Sequence, residues 1–266
     1  MARGVYLGYR GDDADTPFGS FFTSEMSALP GHVVDALHHG PQGAMALPAF
    51  ADAACVAADG YQRTENGYGI LEDGSLQVCV RTDMPGVTPA MWAWWFGWHG
   101  CDTRRYKLWH PRAHLYAAWG DGGEDEQRYV GRTSTISEYI GSSMLSAAIR
   151  FVAPAEMGCP PDGKDAVSIC ARLGSGDVPV DVGWFIHHIR STPSGAEMRS
   201  RFWLGGPHIA VRNAPGIASR VVRPFAARVL ATSESTARNL LVHCAQEMNH
   251  LAGFLPQLYE MFGRRD

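Results

Sequence analysis

Six cysteines occur in the chain, yet no two form a CxxC pair: Cys55, Cys79, Cys101, Cys159, Cys170 and Cys244 stand singly. Zinc ribbons and compact disulfide frameworks both need closely spaced thiols, so neither is indicated, and all six are expected to be buried thiols. Long apolar runs are missing as well. No stretch could cross a bilayer, and the opening Met1-Ala-Arg-Gly-Val-Tyr6 lacks the hydrophobic segment of a secretory signal. A cytoplasmic location without a membrane partner is the resulting expectation. The 23 basic and 27 acidic side chains give a formal charge of −4, and Lys and Arg nowhere gather into a stripe, which argues against nucleic acid as a partner. Internal repeats and low-complexity tracts are also absent.

What is present is an ordinary globular composition, 45% hydrophobic and 19% charged over 266 residues. A chain of this length can bury roughly three quarters of its unfolded surface. Eight Trp, nine Tyr and eleven Phe point to interior space lined by aromatic rings.

The most helix-like stretch is Leu240-Leu-Val-His-Cys-Ala-Gln-Glu-Met-Asn-His-Leu251, and it carries His243 and Glu247 four residues apart. One helical turn separates them, so both side chains leave the same face and converge. An imidazole and a carboxylate presented this way make half of a tetrahedral metal site. An exposed helical pair would look the same in sequence. However, Leu240, Leu251 and Phe254 fall on or beside that face, which therefore points inward, where an unpaired carboxylate wants a cation or a donor. Cys244 is a weaker alternative ligand.

Before this helix the pattern divides in two. Residues 1–70 are rich in Gly, Pro and small residues, with helices expected around His32–Leu37 and from Pro48 to Ala58; they read as a small lobe that packs on the main body or on a second subunit. Residues 71–266 open with Ser75–Thr82, whose alternation through Leu76, Val78 and Val80 predicts a strand with one buried face. Thr88-Pro89 then supplies an N-cap and first residue for a helix through His99, with Trp92, Trp95, Phe96 and His99 on one face and Gly100 as its end. Core packing is the plain reading of that stripe. Short runs bounded by turn residues follow, predicting strands at Tyr106–Trp109, His114–Trp119, Gly131–Ile140, Ala148–Val152, Ala166–Ala171, Val182–Ile189 and Arg199–Leu204. Past Gly205-Gly-Pro207 the pattern turns helical, interrupted at Pro224, and Thr232-Ser-Glu-Ser235 caps the last long helix. Strand, helix, antiparallel strands and a long C-terminal helix form an α+β order. It predicts a helix-grip (Bet v 1-like) fold, a sheet curled round the last helix with an apolar cavity between them.

The segments Trp94-Trp-Phe-Gly-Trp-His99, Arg105-Tyr-Lys-Leu-Trp-His-Pro-Arg-Ala-His114, Ser137-Glu-Tyr-Ile-Gly141, His243-Cys-Ala-Gln-Glu247 and Phe254-Leu-Pro-Gln-Leu-Tyr259 resemble the 2,4-diacetylphloroglucinol hydrolase family, which includes phloretin hydrolases. The resemblance implies a zinc-dependent hydrolase that cleaves the carbon-carbon bond between an acyl group and a polyhydroxylated ring, acting on a small acylated polyphenol. It also implies a homodimer assisted by the N-terminal lobe. Carried over by position, it places a Zn2+ site on His114, Glu138, His243 and Glu247. His110 competes with His114; the family's tyrosine eight residues before its ligand matches Tyr106 and favours His114, leaving His110 as a surface or neighbouring residue.

Glu138 shares a strand face with Ile136 and Ile140, which suits an inward, paired carboxylate. His187 and His188 are adjacent on a strand and face opposite sides, so one of them enters the cavity. The resemblance favours His187 as an acid/base group, with His188 as fallback and a structural histidine as the bland alternative. Tyr106 is expected to hydrogen-bond a substrate oxygen and Glu247 to double as proton acceptor, while Phe202, Tyr139 and Trp95 line the substrate. Phe202 stands where the family tends to have tyrosine, so Tyr139 or Tyr116 would have to supply the missing hydroxyl, or the substrate differs. Four protein ligands also exceed the three usual for catalytic zinc, requiring coordination to expand or a glutamate to detach. Two other functions fit the same fold: a carrier of apolar aromatic ligands and a metal-dependent aryl esterase.

Overall fold

The computed structural model describes residues 7–263, apart from 215, 218, 222–223 and 225–232. Nine antiparallel strands form one sheet: β1 (Gly67–Ile70), β2 (Ser75–Pro85), β3 (His114–Trp119), β4 (Thr133–Ile140), β5 (Ser143–Val152), β6 (Ala166–Ser175), β7 (Val180–Thr192), β8 (Gly195–Gly205) and the short β9 (Ala210–Val211). Their spatial order is β1-β2-β8-β7-β6-β5-β4-β3, with β9 added to β7. The meander from β3 to β8 thus returns to lie beside β2. The α-helices described over their whole length are α1 (Gly31–His39), α2 (Pro89–Trp98), α3 (Thr103–Trp109), α4 (Glu234–Ala252) and α5 (Leu255–Phe262). α2 and α3 connect β2 to β3, and α4 lies along the concave side of the sheet against β1, β2 and β4. This is the helix-grip, Bet v 1-like arrangement, in which a curved sheet wraps one long helix.

Ser233 caps α4, its hydroxyl accepting a hydrogen bond from the Thr236 amide. Ten of the nineteen α4 residues are buried, among them Leu241, His243, Cys244, Glu247, Met248 and Leu251. That face closes the main core together with Leu76, Val78 and Val80 from β2 and the rings of α2.

Several local expectations change. Tyr106–Trp109 is helical, because the Asp102 carboxylate accepts from the Arg104 amide and nucleates a turn that buries Tyr106 and Trp109 three residues apart. β2 is buried on both faces from Ser75 to Val80 instead of on one. Its outer side is covered by the segment before β1, which the Glu65 carboxylate clamps to Arg199 of β8 at 2.6 Å. Thr88 stands at the N-cap of α2 but makes no side-chain capping bond, and the helix runs on as a 3-10 turn, His99–Cys101. Residues 50–57 form a 3-10 helix. Past Pro207 the expected helix does not start at once, since a 3-10 turn, Gly206–His208, and β9 come first, and the helical reading over 225–232 lies outside the described residues.

The N-terminal residues share their cores with the sheet. Tyr9, Phe18, Val33 and Ala36 join the main cluster, and Ala53 and Val56 pack on Ile186 and Trp203 of its outer face. β1, at residues 67–70, is itself an edge of the sheet. The aromatic residues fill the interior more than they line a space: Trp92 packs on Phe96 and Trp109, and Trp95 on Trp98, His99 and Trp109, with centroids 5.3–6.2 Å apart. Of the six free thiols four are buried; Cys55 is exposed and Cys101 half-buried.

Candidate metal centre and active site

Four side chains from three elements meet beside the middle of α4. His114 opens β3 directly opposite Glu138 of β4, and the register slips between His114 and Tyr116. Such a bulge re-aims a side chain, and here the imidazole turns toward the helix. From α4 come His243 and Glu247. His114 Nε2 lies 3.4 Å from Glu138 Oε2 and 3.3 Å from Glu247 Oε2; His243 Nε2 lies 3.6 Å from each of the same two oxygens. The donor atoms of His114, His243 and Glu247 fall within 4.8 Å of one another. All four residues are buried.

The tautomer of His114 is decided by its partner. Its Nδ1 donates to the Tyr106 carbonyl oxygen at 2.9 Å, which can only accept, so Nε2 carries a lone pair. That atom is buried and has no hydrogen-bond partner. Burial, with His243 and His110 adding, holds the His114 pKa well below its ordinary value, so the ring is neutral. A lone pair set against two carboxylate oxygens repels them, and a shared cation removes that repulsion. Two neutral imidazoles and two carboxylates suit a borderline dication, and the residues present fit such an ion.

Glu247 shows the same strain. Burial pushes the Glu247 pKa up to about 8, opposed by His243 and reinforced by Glu138. Burial depresses His243, but the two glutamates outweigh it and the net direction is upward. Tyr106 lies flat on His114 and its hydroxyl donates to Glu138 Oε2 at 2.5 Å, so that proton is engaged within the cluster and not free for a substrate.

His187 and His188 do face opposite sides of β7. His187 points inward among Phe96, Phe185 and Phe202, with ring centroids 6.0, 4.5 and 5.6 Å away. Its Nδ1 shares a 2.7 Å hydrogen bond with Ser200 Oγ, and burial lowers its pKa to about 3. His188 bonds Ser168 Oγ at 2.9 Å on the outer face, near Arg199 and Arg190.

Cys244 packs in the main core and is not among the side chains whose donor atoms converge, so it does not take the place of a ligand in this arrangement. One position along a helix rotates a side chain by ~100°. Tyr116 is exposed and Trp95 fully buried among rings, while Tyr139 is half-buried beside His243. Phe202 packs against Phe185 and His187.

His110 is not a surface residue: it is 4% exposed and stacks on His243 at 4.8 Å. The His114 amide bonds the His110 carbonyl, and that single turn brings both rings to the site. Ser200, unremarked in the sequence, is the cross-strand partner of His187. Only the strand register reveals it.

Residues 47–260 match the model of the DAPG hydrolase PhiG domain. The chain belongs to this family. It is 32% identical over 271 residues to the 2,4-diacetylphloroglucinol hydrolase of Pseudomonas protegens, covering 93% of this chain and 85% of that protein. Phloretin hydrolase of Eubacterium ramulus is 24% identical over 282 residues, covering 96% of this chain and 94% of that one. Among solved structures, ginseng major latex-like protein 151 of Panax ginseng matches 64% of this chain and 97% of its own at 13% identity and a TM-score of 0.35. The fold assignment rests on the strand order and the gripped helix. No helix among the described residues is long and apolar enough to cross a membrane.

Proposed function

We propose that the protein is a zinc-dependent hydrolase that cleaves the carbon-carbon bond joining an acyl group to a polyhydroxylated aromatic ring. His114, Glu138, His243 and Glu247 are the proposed ligands. Support for the substrate class comes from the family and from relatives named as hydrolases of 2,4-diacetylphloroglucinol and phloretin. The observation that carries the metal is the buried, unpartnered Nε2 of His114, set 3.3 and 3.4 Å from two carboxylate oxygens.

When bound, such a dication supplies Lewis acidity toward an acyl carbonyl and toward water. The protein's side chains do the remainder. Net hydrolysis delivers the oxygen of water to the acyl carbon, breaks the acyl–ring bond and leaves its electron pair on the ring carbon, which takes a proton. A ring hydroxyl in its keto form makes that carbon the α-carbon of a ketone, so the electron pair is stabilised as it leaves.

Glu247, or Glu138 beside it, is the proposed acceptor of the water's proton, each a buried carboxylate within 3.4 Å of His114 Nε2. His187, its ring held by Ser200, is the proposed carrier that takes a ring-hydroxyl proton and returns a proton to carbon. Tyr106 positions Glu138 and His114. Phe202, Tyr139 and Trp95 are proposed to border the substrate. With Phe202 in place of a hydroxyl-bearing ring, the acyl aromatic accepted here is expected to differ from those of the relatives. The proposal includes a cytoplasmic homodimer built on the residues before 70, where Met45 and Tyr61 are exposed apolar side chains.

The test is elemental analysis of the purified protein beside an assay of an acylphloroglucinol and its oxygen-ester isomer. About one zinc per chain and release of the free ring from the carbon-linked compound are expected. Cleavage of the ester alone points to an aryl esterase. Tight binding without turnover or metal points to a carrier.

A further inference from the structure

Hydrolysis of an acyl–ring bond, which this inference takes from the function proposed above, frees a carboxylic acid that ionises at neutral pH. That anion arises beside two glutamates, and Coulomb repulsion favours a nearby place of opposite charge for it. A pocket of about 230 Å³ opens directly from His243 to the surface between the start of β3, the β4–β5 turn and one flank of α4. Its polar wall is made by His110, Arg112, Tyr139, Asn239 and Gln246.

This pocket is built, not incidental. His110 is 4% exposed, lines the pocket, and has a buried Nδ1 with no hydrogen-bond partner. Arg112 is the cationic residue of the lining, an exposed side chain whose Nε is tethered to the Ser24 carbonyl at 3.0 Å. The tether holds the guanidinium at the mouth and leaves its terminal nitrogens available, the geometry in which arginine pairs with a carboxylate. Met26 and Val242 supply an apolar side. Positive head-group recognition, an unmet buried polar atom and a greasy wall together describe a site for a small carboxylate with a short hydrocarbon tail.

We propose that this pocket is a product subsite that holds the carboxylate released from the ring, with Arg112 as its charge partner and His110, Tyr139 and Asn239 as hydrogen-bonding groups. It assigns Arg112 to binding and departure of the acid.

The experiment is calorimetric titration of acetate, butyrate and 3-phenylpropanoate into the full-length protein, both metal-loaded and metal-stripped, alongside Arg112→Gln and Arg112→Lys. The corresponding amides serve as uncharged controls. Carboxylate affinity is expected to fall about tenfold in Arg112→Gln, to recover substantially in Arg112→Lys, and to follow that order in both metal states. Equal affinity in wild type and Arg112→Gln overturns the proposal, as does binding that disappears with the metal regardless of residue 112. Amides that bind as well as the acids overturn it too. Direct binding needs no turnover: an Arg112-dependent carboxylate site in a protein that cleaves no acylphloroglucinol leaves the subsite standing and removes the hydrolase reading.

Discussion

Tyr106 lies face to face on His114, with ring centroids 3.7 Å apart and planes 4° from parallel, while its hydroxyl reaches past that ring to Glu138. One residue thus steadies two of the four candidate ligands and accepts the Nδ1–H hydrogen bond of His114 on its own carbonyl. Tyr106→Phe keeps the stack and the carbonyl and removes only the hydroxyl. Zinc affinity measured by chelator competition is expected to fall about 10- to 100-fold, the usual effect of losing such a support. Unchanged affinity would show that Glu138 needs no help from Tyr106.

Acidity should move the loaded and metal-free proteins differently. Glu247 in the metal-free fold has its pKa raised from 4.5 to about 8, so the native state keeps a proton that the unfolded chain loses. Its contribution is fully present below about pH 4.5 and is lost as pH rises through about 8. Metal binding displaces that proton. The gap in Tm between loaded and chelator-treated protein is therefore expected to widen from pH 5.5 to pH 8, and a gap that narrows would contradict the site.

His187, His99 and His188 act with the opposite sign. Burial lowers His187 to about 3, and His99 and His188 to about 4, from 6.5. The unfolded chain then binds the extra protons, so stability is present above pH 6.5 and is lost as pH falls toward 4 and below. Urea midpoints of both forms are expected to drop between pH 7 and pH 5, and a flat profile would mean that these rings are hydrated.

His187→Ala separates chemistry from metal retention. The ring sits among Phe96, Phe185 and Phe202 and makes its hydrogen bond to Ser200, outside the quartet. Zinc content is expected to stay near one per chain while kcat falls about 10²- to 10⁴-fold. Full turnover with metal retained would remove His187 from the mechanism.

Gly141 follows β4 in the turn to β5 with φ at +64°, and a Cβ there would come 2.4 Å from Asn239 Nδ2 on α4. Gly141→Ala combines left-handed backbone strain with displacement of a side chain that lines the pocket, for an expected loss of roughly 1–3 kcal/mol in denaturant unfolding. Adding Asn239→Ala should recover the contact part and leave the backbone part, a non-additivity that a double-mutant cycle reads directly.

Much of this architecture is written in short-range pattern. The one-turn spacing of His243 and Glu247, the inward stripe around them, the strand carrying Glu138 and the order of strands and helices all follow from periodicities that the backbone imposes within a few residues. Tertiary structure decided the rest. Whether Tyr106 sits on a helix or a strand turned on one capping bond from Asp102, and His110 and His114 both reached the site because one turn of chain folds back before β3. Ser200 became the partner of His187 through register alone, and β2 lost its exposed face to a segment held by a distant ion pair. Local pattern sets which way a side chain leaves its own element. What it then meets depends on pairings between residues far apart in sequence, and those exist only once the sheet has closed around the helix.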